Sequence, residues 1–236
     1  MRGEFITGTG TEVGKTVVAA AIARTARMAG ARVAVFKPAV SGLDEYPLRP
    51  EMWECAAELP DHVLLRLAAG SSQADDEIAP YRFGPPVSPH LGAELASKPI
   101  DPDRLRGAAL EATEGADLLI CEGVGGFMVP LTTDYLVRDL ARDLGMPVTI
   151  VASPGLGTIN HTLLTIEAVR GAGLRVGRVV LTPWPEAPSL LEVSNRETIA
   201  ELGSVRVEML FHLDVTAPDR WPALGLSEPE RRLRAA

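Results

Sequence analysis

The sequence predicts a single α/β domain in which a mostly parallel sheet carries helices on both faces. Two observations predict this class. Apolar runs alternate with amphipathic helical segments, and the first apolar run leads into a Gly/Thr-rich loop that ends in Gly-Lys-Thr. Parallel strands need crossover helices, so the alternation indicates a parallel sheet. With 236 residues the chain suffices for one such domain. We expect residues 1–215 to form it and residues 216–236 to be a surface-lying C-terminal tail.

The elements follow from local pattern. Apolar runs predict a strand at Phe5-Ile6 and further strands at residues 32–36, 117–121, 147–151, 176–181 and 205–210, with a short strand or extended segment at 78–83. Helical periodicity predicts helices at residues 16–29, 51–69, 90–97, 101–114, 134–144, 158–170 and 189–202.

Capping residues and prolines fix several of these boundaries. Gly30 ends the Ala-rich first helix, and Pro60 breaks the second so that Asp61 begins its second half. Asp101-Pro102 opens a later helix, because aspartate caps a helix N-terminus and proline suits the first turn.

Composition excludes several classes of function. The net charge of −8, without a clustered basic stripe, argues against a nucleic-acid surface. No apolar run approaches the ~18 residues of a membrane span, and the first strand begins too early to leave room for a signal peptide. Cys55 and Cys121 stand at no metal or redox spacing, and Cys121 is interpreted as a small buried hydrophobe. We expect a protein of the reducing cytoplasm.

The loop between the first strand and first helix is predicted to bind a polyphosphate. It reads Thr-Gly-Thr-Gly-Thr-Glu-Val-Gly-Lys-Thr from Thr7 to Thr16. Small residues let backbone N–H groups surround phosphate oxygens, Lys15 adds a charge, and the Thr16 hydroxyl can ligate Mg²⁺. The plain P-loop has glycine where this chain has Thr9; the glycine comes one residue earlier, at Gly8. The predicted fold is therefore of the P-loop NTPase type.

Polar residues at the ends of other predicted strands converge on the same edge, because ligands sit at the carboxyl ends of parallel strands. Lys37 ends the second strand, where it can neutralise a transferring phosphoryl group. Glu122 follows the third long apolar strand and can hold Mg²⁺. Residues 155–161 open a helix that can receive a carboxylate. Each has a plainer alternative: Lys37 as a surface lysine, Glu122 as a solvated carboxylate, and residues 155–161 as an ordinary capped helix. His161 is interpreted as a structural residue.

These motifs together resemble the dethiobiotin synthetases. Thr7 to Thr16 is similar to the signature loop of that family, including its extra residue relative to the plain P-loop. Four further motifs match the family in order and spacing: Lys37-Pro38 with Ser41-Gly42, Ser88-Pro89-His90, Glu122-Gly123-Val124-Gly125-Gly126, and Gly157-Thr158-Ile159-Asn160-His161. The resemblance covers roughly residues 2–182.

The resemblance implies a set of site residues. Lys37 and Lys15 would be catalytic, and Mg²⁺ would be held by Thr16, Asp61 and Glu122. The nucleotide, ATP as co-substrate, would contact Glu12, Val13, Gly14, Lys15, Thr16, Val17, Asp61, Glu122, Gly123, Val124 and Gly125. The substrate would contact Thr11, Ser41, Gly157, Thr158 and Asn160. Residues 43–60 match the family poorly, so Asp75 or Asp76 is the alternative to Asp61 as a metal ligand.

The resemblance also implies the reaction and the assembly. Family members close a cyclic urea on 7,8-diaminononanoate with CO₂, through a carbamate and a carbamic–phosphoric anhydride. Two subunits share each site, so a homodimer is expected, with residues 155–161 reaching the partner's substrate. Two alternatives stay open. One is another amide-forming synthetase of the superfamily, which would need a glutamine-hydrolysing domain; the other is a ParA/MinD-like ATPase switch, which would carry an additional early lysine in its P-loop.

The positions that would read the base depart from the family. The family often has Asn-Asp after the strand at 176–181, where this chain has Leu181-Thr182-Pro183-Trp184. A second family contact, a Pro-Trp-Leu stretch, is replaced by Phe211-His212-Leu213. An asparagine amide reads adenine with one donor and one acceptor, so its loss predicts relaxed selectivity among nucleotides.

Overall fold

The computed structural model describes residues 2–45 and 59–222 of the chain. Its main sheet has six strands in the order β2-β5-β1-β6-β7-β8. They are β1 (Gly3–Gly8), β2 (Val33–Phe36), β5 (Leu118–Gly126), β6 (Val148–Ala152), β7 (Val176–Trp184) and β8 (Val207–Phe211). A two-stranded sheet pairs β3 (Ala39–Val40) with β4 (Tyr81–Arg82). The ladders of both sheets are parallel, as predicted.

Helices cover both faces of the main sheet. They are α1 (Lys15–Met28), α2 (Asp61–Ala69), α3 (Asp75–Ile78), α4 (Pro89–Leu95), α5 (Pro102–Glu111), α6 (Val137–Leu144), α7 (Thr158–Gly171) and α8 (Leu190–Gly203). Two 3₁₀ turns complete the described elements, at Leu43–Glu45 and Pro218–Arg220. None of the described helices is long and apolar enough to cross a membrane.

Two apolar clusters hold the layers together, one on each side of the sheet. The first cluster packs α1 and α2 against residues such as Ile6, Val35 and Ile120. The second packs α5, α6, α7 and α8 against the opposite face, around residues such as Phe5 and Val148. Because successive strand residues point to opposite faces, each buried strand contributes to both clusters.

Most predicted elements are found, but the segment predicted as a short strand or extended segment at 78–83 differs at its start. Its start belongs to helix α3, and only Tyr81–Arg82 pair as a strand. The helix forms because Glu77 accepts a hydrogen bond from the Ala74 N–H at 2.7 Å, closing the first turn. Local apolar character around Ile78 predicted a strand without sensing this cap.

Three further sequence predictions concern the cysteines, the helix at 51–69 and the C-terminal segment. Cys121 is fully buried in the sheet, and burial raises the pKa of its thiol, as suits an inert core residue. The first part of the helix predicted at 51–69, and Cys55 with it, lies outside the described residues. The segment predicted as a tail is described to residue 222, and within it Trp221 is buried against α1 and α2.

A row of buried polar residues crosses the sheet at the amino ends of its strands. The Arg178 guanidinium of β7 donates to both carboxylate oxygens of Glu4 on β1, at 2.8 and 2.7 Å. It also donates to the Thr149 hydroxyl of β6 at 3.2 Å and lies 3.6 Å from Glu208 of β8. Four strands are therefore tied by one charged network inside the protein.

Candidate functional site

The loop that joins β1 to α1 has the backbone of a phosphate cradle. Gly14, immediately before α1, has a φ of 89°, a left-handed conformation that side chains rarely adopt. A Cβ atom at Gly14 would also lie 2.8 Å from the Thr182 methyl group, so only glycine fits. The N-cap residue of α1 is Gly14, which has no side chain to cap the helix. Its first N–H groups therefore face the loop and suit an anion.

Lys15, the first residue of α1, lies folded back over this loop. Its ammonium donates to the Gly10 carbonyl at 2.8 Å, and the side chain is largely buried. Burial, together with the neighbouring charge of Lys37, lowers the pKa of Lys15 below its ordinary value. A group held this way is positioned to meet phosphate oxygens entering the loop.

The glycines at the end of β5 lie against the same loop. Gly126 pairs in register with Gly8, and a Cβ at Gly125 would stand 3.7 Å from the Thr11 hydroxyl. Glu122 lies inside β5, which continues through these glycines, and not after the strand as predicted. The extended backbone of this segment carries Glu122 underneath the loop, into the buried core of the site.

Three side chains meet at the start of α1. The Thr16 hydroxyl lies 2.8 Å from Asp61 Oδ1 and 2.9 Å from Glu122 Oε1. Thr16 comes from α1, Asp61 is the first residue of α2, and Glu122 comes from β5. Residues separated by as many as 106 positions in sequence thus converge on one point. The structure brings together all three residues predicted to hold a metal.

Lys37 completes this cluster from the end of β2. Its ammonium lies 2.6 Å from Asp61 Oδ2 and 2.5 Å from Glu122 Oε1, and only 3 % of its side chain is exposed. Its backbone N–H is fixed by the Ile78 carbonyl at 2.8 Å. Lys37, one of the two predicted catalytic lysines, therefore forms one contiguous group with the predicted metal ligands.

The charges of this cluster are strongly coupled. Burial alone would lower the pKa of Lys37, but Asp61 and Glu122 outweigh it and raise that pKa. Burial tends to raise the pKa of Asp61, but the positive charge of Lys37 outweighs burial, so the pKa of Asp61 is lowered. For Glu122 burial prevails and raises the pKa. Lys37 is thus held as a cation beside two carboxyl groups.

The residues present fit a magnesium ion. The second oxygen of Glu122, Oε2, is buried without a hydrogen-bond partner among the described residues. Carboxylate and hydroxyl oxygens are the ligands that Mg²⁺ prefers, and it commonly keeps phosphate and water oxygens as well. Within the described ranges no group of three or more His, Cys, Asp or Glu residues could hold a metal. Thr16, Asp61 and Glu122 would therefore bind the ion together with non-protein oxygens.

Asp75, one of the two alternatives to Asp61, is directed elsewhere. Its carboxylate oxygens lie 3.7 Å from the His62 ring and 3.6 Å from the Arg66 guanidinium. The other alternative, Asp76, follows it in α3, whereas Asp61 contacts Thr16 directly.

His62 gives this region a distinctive pH response. Its side chain is fully buried in α2, and burial lowers its pKa from 6.5 to about 4. His62 is therefore harder to protonate in the folded chain than in the unfolded chain. Its contribution to the free energy of unfolding is fully present above pH 6.5 and decreases as the pH falls below that value. We expect acidification from pH 6.5 toward 4 to remove at most about 3 kcal/mol of unfolding free energy. Urea titrations of wild type and His62→Gln should show this loss in wild type only; parallel pH profiles would contradict it.

The residues predicted to bind the substrate are placed at two other points of the carboxyl edge. Ser41 follows β3, and Gly157 precedes α7 with a left-handed φ of 91°. Asn160 is exposed on the first turn of α7, while the Thr158 hydroxyl is buried 3.3 Å from that of Thr162. Of the two α7 residues predicted to contact the substrate, Asn160 is therefore at the surface and Thr158 faces the protein interior.

Sequence reasoning missed two positioning residues. Asn195 of α8 is buried, and its amide donates to the carbonyls of Pro154 and Gly155 at 2.9 and 3.1 Å, which fixes the loop before α7. Thr182 packs its methyl group against Gly14. A polar asparagine within a helical pattern was the available signal for Asn195; nothing local marked Thr182.

A family model and several curated relatives each match most of the chain. A family model described as an AAA domain matches residues 2–210. The chain is 39 % identical over 207 residues to the ATP-dependent dethiobiotin synthetase BioD of Bacillus cereus strain G9842, covering 88 % of this chain and 81 % of that protein. It is 38 % identical to the enzyme of the same name from Anaeromyxobacter dehalogenans strain 2CP-C, covering 86 % and 90 %. The identity to the enzyme of the same name from Bacillus subtilis strain 168 is 34 %, over 88 % of this chain and 85 % of that protein.

Solved structures support the fold assignment. The MinC:MinD cell division protein complex of Aquifex aeolicus contains a chain with a TM-score of 0.55 and 14 % identity, covering 92 % of this chain and 85 % of that one. A ParA family ATPase from Chlorobium tepidum also gives 0.55, at 12 % identity, covering 92 % and 87 %. At such identities the likeness establishes only the shared fold, and it confirms the predicted P-loop type.

Proposed function

The chain belongs to the family of ATP-dependent dethiobiotin synthetases, and from this premise we propose that it is an ATP- and Mg²⁺-dependent ligase. It would close a cyclic urea on 7,8-diaminononanoate with CO₂, in the cytoplasm where ATP is available. The observation that carries the proposal is the contact of Lys37 and Thr16 with the same pair of carboxylates, Asp61 and Glu122, directly beneath the P-loop.

The proposed reaction has three stages. One amine of the diamine takes up CO₂ and loses a proton, giving a carbamate. A carbamate oxygen then attacks the γ-phosphate of ATP, the bond to ADP breaks, and a carbamic–phosphoric anhydride forms. Finally the second amine attacks the carbamate carbon, phosphate leaves, and the ring closes with loss of a proton.

The protein's contribution to phosphoryl transfer is positioning and charge. Backbone N–H groups of residues 12–17 would hold the phosphates, with Lys15 beside them. Lys37 would neutralise charge on the transferring group, because a fixed cation in a buried site stabilises it more than water does. A bound Mg²⁺, held by Thr16, Asp61 and Glu122, would add Lewis-acid stabilisation of the same oxygens.

The substrate would lie between the loop and the helix start of α7. Thr11 and Ser41 would contact it from one subunit. Gly157, Thr158 and Asn160 would receive its carboxylate from the partner, because a helix N-terminus favours an anion. The glycines at 123–125 would border the nucleotide from the β5 side.

Product formation tests this function directly. We expect ATP-dependent phosphate release only when diamine and bicarbonate are both present, with one dethiobiotin detected by mass spectrometry for each phosphate. An ATPase switch would release phosphate without the diamine. Equal phosphate release with and without the diamine, and no dethiobiotin, would overturn the proposal.

The proposed substrate contact predicts the assembly state. If α7 serves the neighbouring subunit's substrate, the active form is at least a dimer. We expect sedimentation at assay concentrations to show a dimer, and dilution below its dissociation constant to abolish activity together with the dimer. A sedimenting monomer with full activity would contradict the shared site.

The base-reading positions predict relaxed nucleotide selectivity. Thr182 is buried against Gly14, Trp184 is buried, and the Asn195 amide already bonds two backbone carbonyls. A lost paired hydrogen bond is worth ~1–3 kcal/mol. We therefore expect CTP and GTP to support turnover within about tenfold of ATP.

Competition kinetics with ATP, CTP and GTP measures this selectivity. The contrary result is a preference for ATP above about a hundredfold, equivalent to about 2.7 kcal/mol. It would mean that backbone groups at residues 182–184 read the adenine amino group as well as a side-chain amide does.

A further inference from the structure

Strand β2, which carries Lys37 just beyond its end, lies at the edge of the main sheet. It has four residues, and its neighbour in the sheet is β5. Phe36, the last of the four, is in register with Cys121, so the next residues along the two strands are Lys37 and Glu122. The outer side of an edge strand presents backbone N–H and C=O groups that no further strand receives. The position of Lys37 therefore depends on what holds this outer side.

The side chain of Gln73 takes the place of a neighbouring strand there. Its amide oxygen accepts from the Val35 N–H at 2.9 Å, and its amide nitrogen donates to the Val35 carbonyl at 3.1 Å. Val35 is fully buried, and buried backbone groups need such partners. Ser71 fixes the amide, because its hydroxyl donates to the same Gln73 oxygen at 2.9 Å and accepts from the Gln73 N–H at 3.1 Å. One side-chain amide thus satisfies both backbone groups of Val35.

A second contact holds the same side of β2 two residues later. The Lys37 N–H donates to the Ile78 carbonyl at 2.8 Å. Ile78 is the last residue of α3, the one-turn helix that follows Gln73. Residues 73–78 therefore hold the chain at Val35 and again at Lys37, two points about 7 Å apart along the strand.

We propose that Gln73 is a positioning residue for Lys37 in the proposed phosphoryl transfer. Its side-chain amide fixes the backbone of β2 at Val35, two residues before the lysine. The Lys37 ammonium can then meet its two carboxylates at 2.6 and 2.5 Å. A displacement of about 1 Å in a reacting group can slow a reaction by about a hundredfold. This inference rests on the proposed function, in which Lys37 is catalytic.

A double-mutant cycle on turnover tests the positioning role. Gln73→Met keeps the length of the side chain and removes both hydrogen bonds to Val35. We expect it to lower kcat for dethiobiotin formation by about tenfold, with KM for ATP within about twofold of the wild-type value. In a Lys37→Gln background the same change should alter kcat by less than about twofold, because the group that it positions is gone. The control is Ser72→Ala at the exposed neighbouring residue, which should leave kcat within about twofold.

Two kinetic results would overturn the proposal. One is a wild-type kcat in a folded Gln73→Met protein. The other is an equal fold loss with and without the Lys37 ammonium, which would mean that Gln73 supports the fold and not the lysine. If Gln73→Met does not fold, Ser71→Ala carries the same cycle, because it loosens the side-chain amide without removing it. We expect its loss of kcat to be about threefold and confined to proteins that retain Lys37. An unchanged kcat, or an equal loss in both backgrounds, would again overturn the proposal.

Amide hydrogen exchange, followed by nuclear magnetic resonance, tests the same inference without turnover. Gln73→Met should accelerate exchange of the Val35 N–H, which loses its acceptor, and of the Lys37 N–H, which keeps its own, each by at least about tenfold. Ser72→Ala should change neither rate. Faster exchange at Val35 with an unchanged rate at Lys37 would show that the amide does not position the lysine. Absence of dethiobiotin with the wild-type enzyme would refute the proposed function, and the exchange rates would still decide whether Gln73 holds Lys37 in place.

Discussion

Replacing Lys37 with glutamine is expected to slow dethiobiotin formation at saturating substrates by at least a hundredfold, about 3 kcal/mol of transition-state stabilisation. The side chain is buried beneath the P-loop, and its ammonium is held as a cation by Asp61 and Glu122. Glutamine preserves much of the length but removes the charge. Turnover is measured as product formed with excess ATP, diamine and bicarbonate.

The matched control is Lys98→Gln, which removes the same charge from an exposed lysine outside the cluster. It should retain turnover within about twofold, as expected of a surface position. Near-wild-type turnover in a folded Lys37→Gln protein would eliminate Lys37 as a catalytic residue.

Replacing Arg178 with methionine is expected to lower the free energy of unfolding by about 3–5 kcal/mol. The substitution leaves the Glu4 and Glu208 carboxylates inside the sheet without the guanidinium that now contacts both. Removing one partner of a buried ion pair costs more than the pair contributes, because the remaining charge stays desolvated. Equilibrium urea unfolding measures the change.

Two further variants make this prediction specific. Arg206→Met removes a largely exposed arginine that pairs with Glu208 at 2.8 Å, and it should cost no more than about 1 kcal/mol. Combining Arg178→Met with Glu4→Met should recover part of the loss, since one stranded carboxylate is then gone. A loss below about 1 kcal/mol in Arg178→Met alone would show that the network carries little of the stability.

The fold was largely predictable because its determinants are local. Apolar runs, helical periodicity and caps such as Asp101-Pro102 mark helices and strands within windows of a few residues. The P-loop motif around Gly14 and Lys15 also indicates the strand before it and the helix after it. Helix α3 escaped prediction because a single turn held by Glu77 has too short a pattern to outweigh the apolar residues beside it.

The site was predictable where a motif carried it and not where distant residues meet. Glu122 and Lys37 could be named from strand ends, whereas the preference for Asp61 over Asp75 depends on its contact with Thr16, 45 positions away. Asn195 bonds a loop 41 residues earlier, and Arg178 bonds Glu4 across 174 positions. Such pairings depend on strand order, and no local pattern in a single sequence encodes it.

The small number of lysines gives this protein a selective surface chemistry. Lys15 and Lys37 are 7 % and 3 % exposed, whereas Lys98 is exposed in the segment that follows α4. An amine-reactive dye or resin should therefore attach to the lysine side chain at Lys98 before either lysine of the site. A fluorophore can be placed there without engineering, and the enzyme can be immobilised on activated beads with its phosphate-binding loop unmodified.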